Sequence, residues 1–254
     1  MKKSRACRLF IIFFFMFPLF TTIKTASARV LDVTETTPME YQTYLVEQFS
    51  NRKVAYLTFD DGPSKYTDEI LNILKKHNIY ATFFFIGNNV NKYKSSVLKT
   101  YDNGHYIGLH SMTHDFKTLY GEHSAKRYLN EMKEEQKILH SLVPIEPMLI
   151  RSPYGTYPNF SNEHRDEVIK EGFKVWDWTV DSLDWRYSQN PNQILRVVFS
   201  QIHQKREVIL MHERAQTVRV LEEMINELQK RGYEFEVYNP KKHFPQNFYG
   251  DVRF

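Results

Sequence analysis

A chain of 254 residues with 42% hydrophobic and 15% aromatic content has room for one large α/β domain or two small ones, and for a sizeable core. Its formal charge of +4 sits in residues 1–28, which hold Lys2, Lys3, Arg5, Arg8 and Lys24 and no acid, leaving 29 basic against 30 acidic residues in the rest. A body so close to neutrality gives no electrostatic case for nucleic acid, and the single cysteine, Cys7, lies in the same N-terminal stretch, which excludes a disulfide framework.

The basic start precedes an apolar run from Leu9 to Phe20, and Ala26-Ser27-Ala28 supplies the small residues of a cleavage site. Residues 1–28 therefore read as a secretory signal, which implies an extracytoplasmic, cell-wall-facing location. The run is short of the ~20 apolar residues a membrane span needs, so no stable span is expected after cleavage. Left uncut, the same segment would be a membrane anchor. Cys7 precedes the apolar run and is too early to accept a lipid. Residues 29–50 read as a Thr-rich leader, residues 51–238 as the domain and 239–254 as a C-terminal tail.

From Lys53 onward short apolar runs alternate with amphipathic segments. The runs are Val54–Phe59, Ala81–Ile86, Tyr106–His110, Met148–Arg151, Lys174–Val180, Val208–His212 and Tyr233–Tyr238. Helices are expected over Thr67–His77, Asn89–Asp102, Glu122–Leu142, Asn162–Glu171, Pro191–Gln204 and Ala215–Arg231. Gly104, Gly172 and Gly232 each separate a helix from the next run, as helix-terminating glycines do. Strands alternating with helices imply parallel pairing, and seven runs in about 200 residues suggest a closed or nearly closed β/α barrel in one domain.

In such a barrel the residues ending each run gather at one face. Run one ends at Asp60-Asp61-Gly62-Pro63, adjacent carboxylates that point in different directions. The third ends at His110-Ser111-Met112-Thr113-His114, the fourth at Arg151-Ser152-Pro153-Tyr154-Gly155, the fifth at Asp181-Ser182-Leu183-Asp184-Trp185 and the sixth at His212. His110 and His114, four residues apart, can face one ion, and Asp61 offers a third donor from another strand end. Two imidazoles and one carboxylate with an open position form a catalytic zinc pattern, although iron, cobalt, nickel or manganese suits the same donors.

These five stretches, in this order and covering about Lys53 to Tyr238, resemble the motifs of the polysaccharide deacetylase family, the nodulation-protein-B homology domain of carbohydrate esterase family 4. The resemblance implies a distorted (β/α)7 barrel and a secreted, metal-dependent N-deacetylase that frees acetate and an amine from an N-acetylated glycan. It implies Asp61, His110 and His114 as metal ligands and Asp60 as catalytic base, oriented by Arg151. His212 is implied as the catalytic acid, held by Asp181. The backbone N–H of Tyr154 serves the oxyanion, and Trp185 and Leu210 wall the acetyl group and sugar. Asp184 reads only as a turn residue. Tyr106, Leu109 and Glu213 depart from residues common in relatives, and no catalytic group is missing.

That chemistry needs these residue types. A divalent ion polarises an amide carbonyl and acidifies water, a carboxylate takes the water's proton, and an amine leaves well only when an acid protonates it. Peptidoglycan is the first expected substrate. Chitin oligomers, an N-acetylglucosamine exopolysaccharide and, further off, O-acetylated xylan share the chemistry. A glycan-binding protein that has lost turnover and a cytoplasmic amidase are the competing classes; the first keeps the fold, and the second conflicts with the signal. Oligomeric state is not expressed in these patterns.

Overall fold

The computed structural model describes residues 52–254, so the expected signal and leader lie outside the described residues. The fold is a distorted (β/α)7 barrel. Strands β1 (Lys53–Gly62), β2 (Thr82–Phe85), β3 (Tyr106–Leu109), β4 (Leu149–Ile150), β5 (Lys174–Val175), β6 (Val180–Asp181), β7 (Arg206–His212) and β8 (Tyr233–Phe235) form one all-parallel sheet. Its order is β5-β4-β3-β2-β1-β7-β6, and β8 pairs with the first residues of β1. Helices are α1 (Thr67–Lys76), α2 (Gly87–Val90), α3 (Lys94–Asp102), α4 (Phe116–Tyr120), α5 (Ala125–Leu142), α6 (Asn162–Lys170), α7 (Asn192–Gln201) and α8 (Ala215–Lys230). None of the described helices is long and apolar enough to cross a membrane.

Strand β1 is the centre of the sheet. Ala55 through Asp60 are all buried, the continuous pattern of a strand covered on both faces. Its outward side chains, Leu57 and Phe59, join the large core under the helices, where Phe59 stacks on Phe83 at 5.1 Å. Its inward side carries Tyr56, which packs with Phe84, Trp176, Tyr238 and Phe244 in a second cluster. The helices close the outside through their apolar faces. On α8 the buried apolar residues are Val220, Leu221, Met224, Ile225 and Leu228, while Val218 stays half-buried. On α1, Asp68 and Glu69 open the helix and Lys75 and Lys76 end it, matching its dipole. The three helix-terminating glycines have φ of 81°, 78° and 82°.

Three expectations change. The run Lys174–Val180 is two strands: β5 pairs with β4, and β6 pairs with β7 at the opposite end of the sheet. The chain crosses the open seam of the barrel in the four residues between them. The helix expected over Asn89–Asp102 is broken into α2 and α3. Residues 239–254 are not a loose tail. Phe244 and Phe254 are buried, Gln246 bridges to Trp176, and the Asp177 N–H donates to the Gln246 carbonyl at 2.6 Å.

Candidate active site

The strand ends deliver their polar residues to one mouth of the barrel. Five non-glycine residues there adopt left-handed backbone: Asp61 (φ 68°), Ser111 (68°), His114 (56°), Tyr154 (65°) and Leu183 (50°). Each such residue costs ~1–2 kcal/mol, and the surrounding fold holds them there.

The nitrogen and oxygen donors of Asp61, His110 and His114 lie within 4.8 Å of one another. Asp61 Oδ1 is 3.5 Å from the Nε2 of each histidine, is buried, and has no hydrogen-bond partner among the described residues. An orphaned carboxylate oxygen facing two imidazole nitrogens is what a divalent ion would satisfy, so these residues fit the ion the sequence implies. His110 Nδ1 donates to the Arg151 carbonyl at 2.6 Å, which turns Nε2 toward Asp61 and an ion. Burial and the neighbouring His110 hold His114 down to about 4, a neutral imidazole at physiological pH. Burial opposes the charge of Asp61, but the His110, His212 and His114 imidazoles together outweigh it and the carboxyl sits below its ordinary range. Arg214 reaches the outer oxygen, Asp61 Oδ2, at 3.3 Å.

Asp60 turns Oδ1 to Arg151, and its Oδ2 lies 3.8 Å from His110 Nε2, beside the same cluster. Burial is the largest influence on it and raises its pKa against the pull of Arg151 and His110. Arg151 is fully buried with every nitrogen used: Nε on the Trp176 carbonyl (2.8 Å), Nη1 on Thr58 Oγ1 (2.7 Å) and Asp60 Oδ1 (3.3 Å), and Nη2 on the Asp177 carbonyl (3.2 Å). Its guanidinium also lies over the Phe84 ring at 4.4 Å. The arginine is thus fixed by backbone and ring, and offers Asp60 one donor.

His212 at the end of β7 completes the mouth. Its carboxylate partner is Asp184, which corrects the expectation of Asp181. His212 Nδ1 meets Asp184 Oδ1 at 2.6 Å, and the His212 N–H donates to Asp184 Oδ2 at 2.7 Å. Thr217 Oγ1 also donates to that oxygen, at 2.5 Å, and the Gln216 amide to the Asp184 carbonyl, at 2.8 Å. Burial opposes a charged His212, yet the Asp184 hydrogen bond and charge lift its pKa to about 9. Asp181 instead accepts the Leu183 N–H at 2.9 Å and shapes the turn. The left-handed Leu183 then swings Asp184 inward, and a 3-10 turn (Asp184–Arg186) leaves Trp185 at the rim, 52% exposed. Leu210 is buried in β7 between Thr58 and Asp181. Tyr154 lays its ring 4.7 Å from that of His114 and donates its hydroxyl to the His114 carbonyl at 3.1 Å.

Two supporting residues were not read from the sequence. Glu135 of α5, fully buried, accepts the His110 N–H at 2.9 Å, and Glu131, one turn earlier, accepts the Thr113 N–H at 3.1 Å and its hydroxyl at 2.8 Å. Together they hold the His110–His114 loop from beneath. The signal for them was present: two acids on the same helix face as Tyr128, Met132 and Leu139.

A candidate ion site, a buried carboxylate and a histidine kept charged, all at the strand ends of a parallel barrel, define a hydrolase of the α/β-barrel class. The polysaccharide deacetylase family matches residues 48–176. A peptidoglycan-N-acetylglucosamine deacetylase from Bacillus cereus is 48% identical over 210 residues, 80% of this chain and 75% of that protein. The crystal structure of the polysaccharide deacetylase Bc1974 from Bacillus cereus superimposes with a TM-score of 0.77 at 47% identity, over 80% of this chain and all of the other. A CE4 family pseudoenzyme from Bacillus anthracis shares the fold at 26% identity and a TM-score of 0.65, over 73% of this chain and 63% of the other. The chain belongs to the polysaccharide deacetylase family, carbohydrate esterase family 4, and is an enzyme of that class.

Proposed function

We propose that this protein removes the acetyl group from N-acetylglucosamine-type residues of peptidoglycan outside the cytoplasm, using a divalent ion, zinc first, at Asp61, His110 and His114. The observation that carries the reading is Asp61 Oδ1, buried without a hydrogen-bond partner among the described residues and 3.5 Å from two imidazole nitrogens. The 48% identity to a peptidoglycan-N-acetylglucosamine deacetylase supports the substrate. Chitin oligomers and an exopolysaccharide share the chemistry. Residues 1–28 are the export signal in this reading.

When bound, the ion polarises the amide carbonyl and acidifies the attacking water. Asp60 takes that water's proton, with its pKa kept up by burial and its carboxylate aimed by Arg151. The Tyr154 backbone N–H donates to the developing oxyanion, and Trp185 and Leu210 bound the space for the acetyl group. His212, held charged by Asp184, gives its proton to the amide nitrogen as the C–N bond breaks. Acetate and a free amine result.

The test is acetate release by metal-reconstituted residues 29–254 from peptidoglycan and from chitin oligomers. Asp60→Asn is the control. It should abolish release while retaining the ion; loss of the ion would reverse the roles of the two aspartates. The second reading, a glycan-binding protein without turnover, has a precedent in the fold-sharing pseudoenzyme. It predicts glycan binding with no acetate from either substrate.

A further inference from the structure

An exposed run of aromatic rings leads away from the ion site. The Tyr154 ring, 4.7 Å from His114, meets the Phe116 ring of α4 edge-on at 5.4 Å. On its other side is Gly155, at φ 81°, where a Cβ would come within 3.1 Å of both Phe248 and Trp178. Those two rings meet edge to face at 4.9 Å. The absence of a side chain at Gly155 leaves room for both rings beside the backbone that follows Tyr154. Asp177 ties the pieces together, accepting the Thr156 N–H at 3.0 Å and the Phe248 N–H at 2.8 Å. Phe116, Tyr154 and Phe248 are nonetheless 49%, 52% and 43% exposed.

Large rings held half-exposed on pinned backbone pack nothing fully and lose little entropy when covered. Their polar margin comes from Asp115, which caps α4, and from Asn159, whose amide donates to the Gly155 carbonyl at 3.1 Å. The chair of an N-acetylated hexosamine has a matching surface, a flat C–H face inside a rim of hydroxyls. We propose that Phe116, Tyr154, Trp178 and Phe248 form a stacking strip for sugar units beyond the one at the ion site, so that the enzyme selects a polymeric glycan strand over a short oligomer. The inference rests on the glycan reading of the site and adds a length preference to it.

The test uses N-acetylglucosamine dimer and hexamer. Binding is measured by calorimetry in an Asp60→Asn background, and kcat/KM by acetate release in the active protein. Phe116→Ala and Phe248→Ala, both at exposed positions, should each weaken hexamer binding by about three- to tenfold. Each should also lower the hexamer-to-dimer ratio of kcat/KM, with ion content as in the parent. A ratio and hexamer affinity unchanged in both variants would overturn the strip while leaving the deacetylase reading intact. No acetate from any oligomer, with length-dependent binding still lost in the variants, would support the strip and sink the N-deacetylase reading. Loss of self-association in Phe116→Ala with glycan binding unchanged would overturn the strip in favour of a contact between copies.

Discussion

Asp181 and Asp184 are three residues apart in one motif, and only one can pair with His212. Leu183 decides. Its left-handed backbone buries Asp184 beneath β7, while Asp181 turns back onto the Leu183 N–H. His212 is charged below about 9 because of Asp184, so activity that needs its proton should fall as pH rises through about 9. Asp184→Asn should move the basic limb of the kcat/KM profile down toward the ordinary 6.5, and Asp181→Asn should leave it in place. The reverse result would restore Asp181 as the partner. Stability follows the same sign. A histidine pKa raised on folding contributes stability fully present below 6.5 and lost as pH rises through about 9. That alkaline loss should be absent from the melting profile of His212→Gln.

At the scale of elements, α5 supports the proposed ion site. Its two acids sit one turn apart: Glu135 shares the His110 N–H with the Phe85 carbonyl of β2, and Glu131 takes the Thr113 N–H. Burial raises the pKa of Glu135 well above the ordinary glutamate value, so glutamine is close to its protonated form in shape and charge. Glu135→Leu should weaken zinc affinity roughly 10- to 100-fold, the usual effect of removing an outer-shell partner, and Glu135→Gln should restore most of it. Competition with a chromophoric chelator would read both. Unchanged affinity in a folded Glu135→Leu protein would reduce α5 to packing. The neighbouring strand-to-helix turn is braced similarly: Glu213 accepts the hydroxyls of Ser64 (2.8 Å) and Thr67 (2.5 Å), fixing the segment after Asp60-Asp61.

At the scale of the whole molecule, the barrel has a seam. β5 and β6 end the sheet on opposite sides, and the segment after Tyr238 covers the inner cluster between them. Phe244 packs on Trp176 at 4.7 Å and Tyr56 at 5.3 Å, and the Arg206 guanidinium lies over the Phe244 ring at 4.1 Å. Phe244→Ala should therefore cost about 3–5 kcal/mol in a urea titration, as for other buried phenylalanines. A loss under about 1 kcal/mol would mean the last residues are an appendage after all. The same segment delivers Phe248 to the rim of the site, so folding and the proposed glycan surface share it.

The sequence by itself determined the alternation of strand and helix, the five polar stretches at the strand ends and the three candidate ion ligands. These are local properties: apolar runs of strand length, glycines where helices stop, and an aspartate or histidine pair within a few residues. Tertiary structure alone decided which aspartate reaches His212, because that depends on how the turn after β6 lies under β7. It decided that one apolar run is two strands, since pairing partners are chosen across the sheet and not along the chain. It also brought Glu131 and Glu135 under the His110–His114 loop and placed Phe244 in the seam. Each is a long-range contact, and hydrophobic periodicity carries no record of what an element will face.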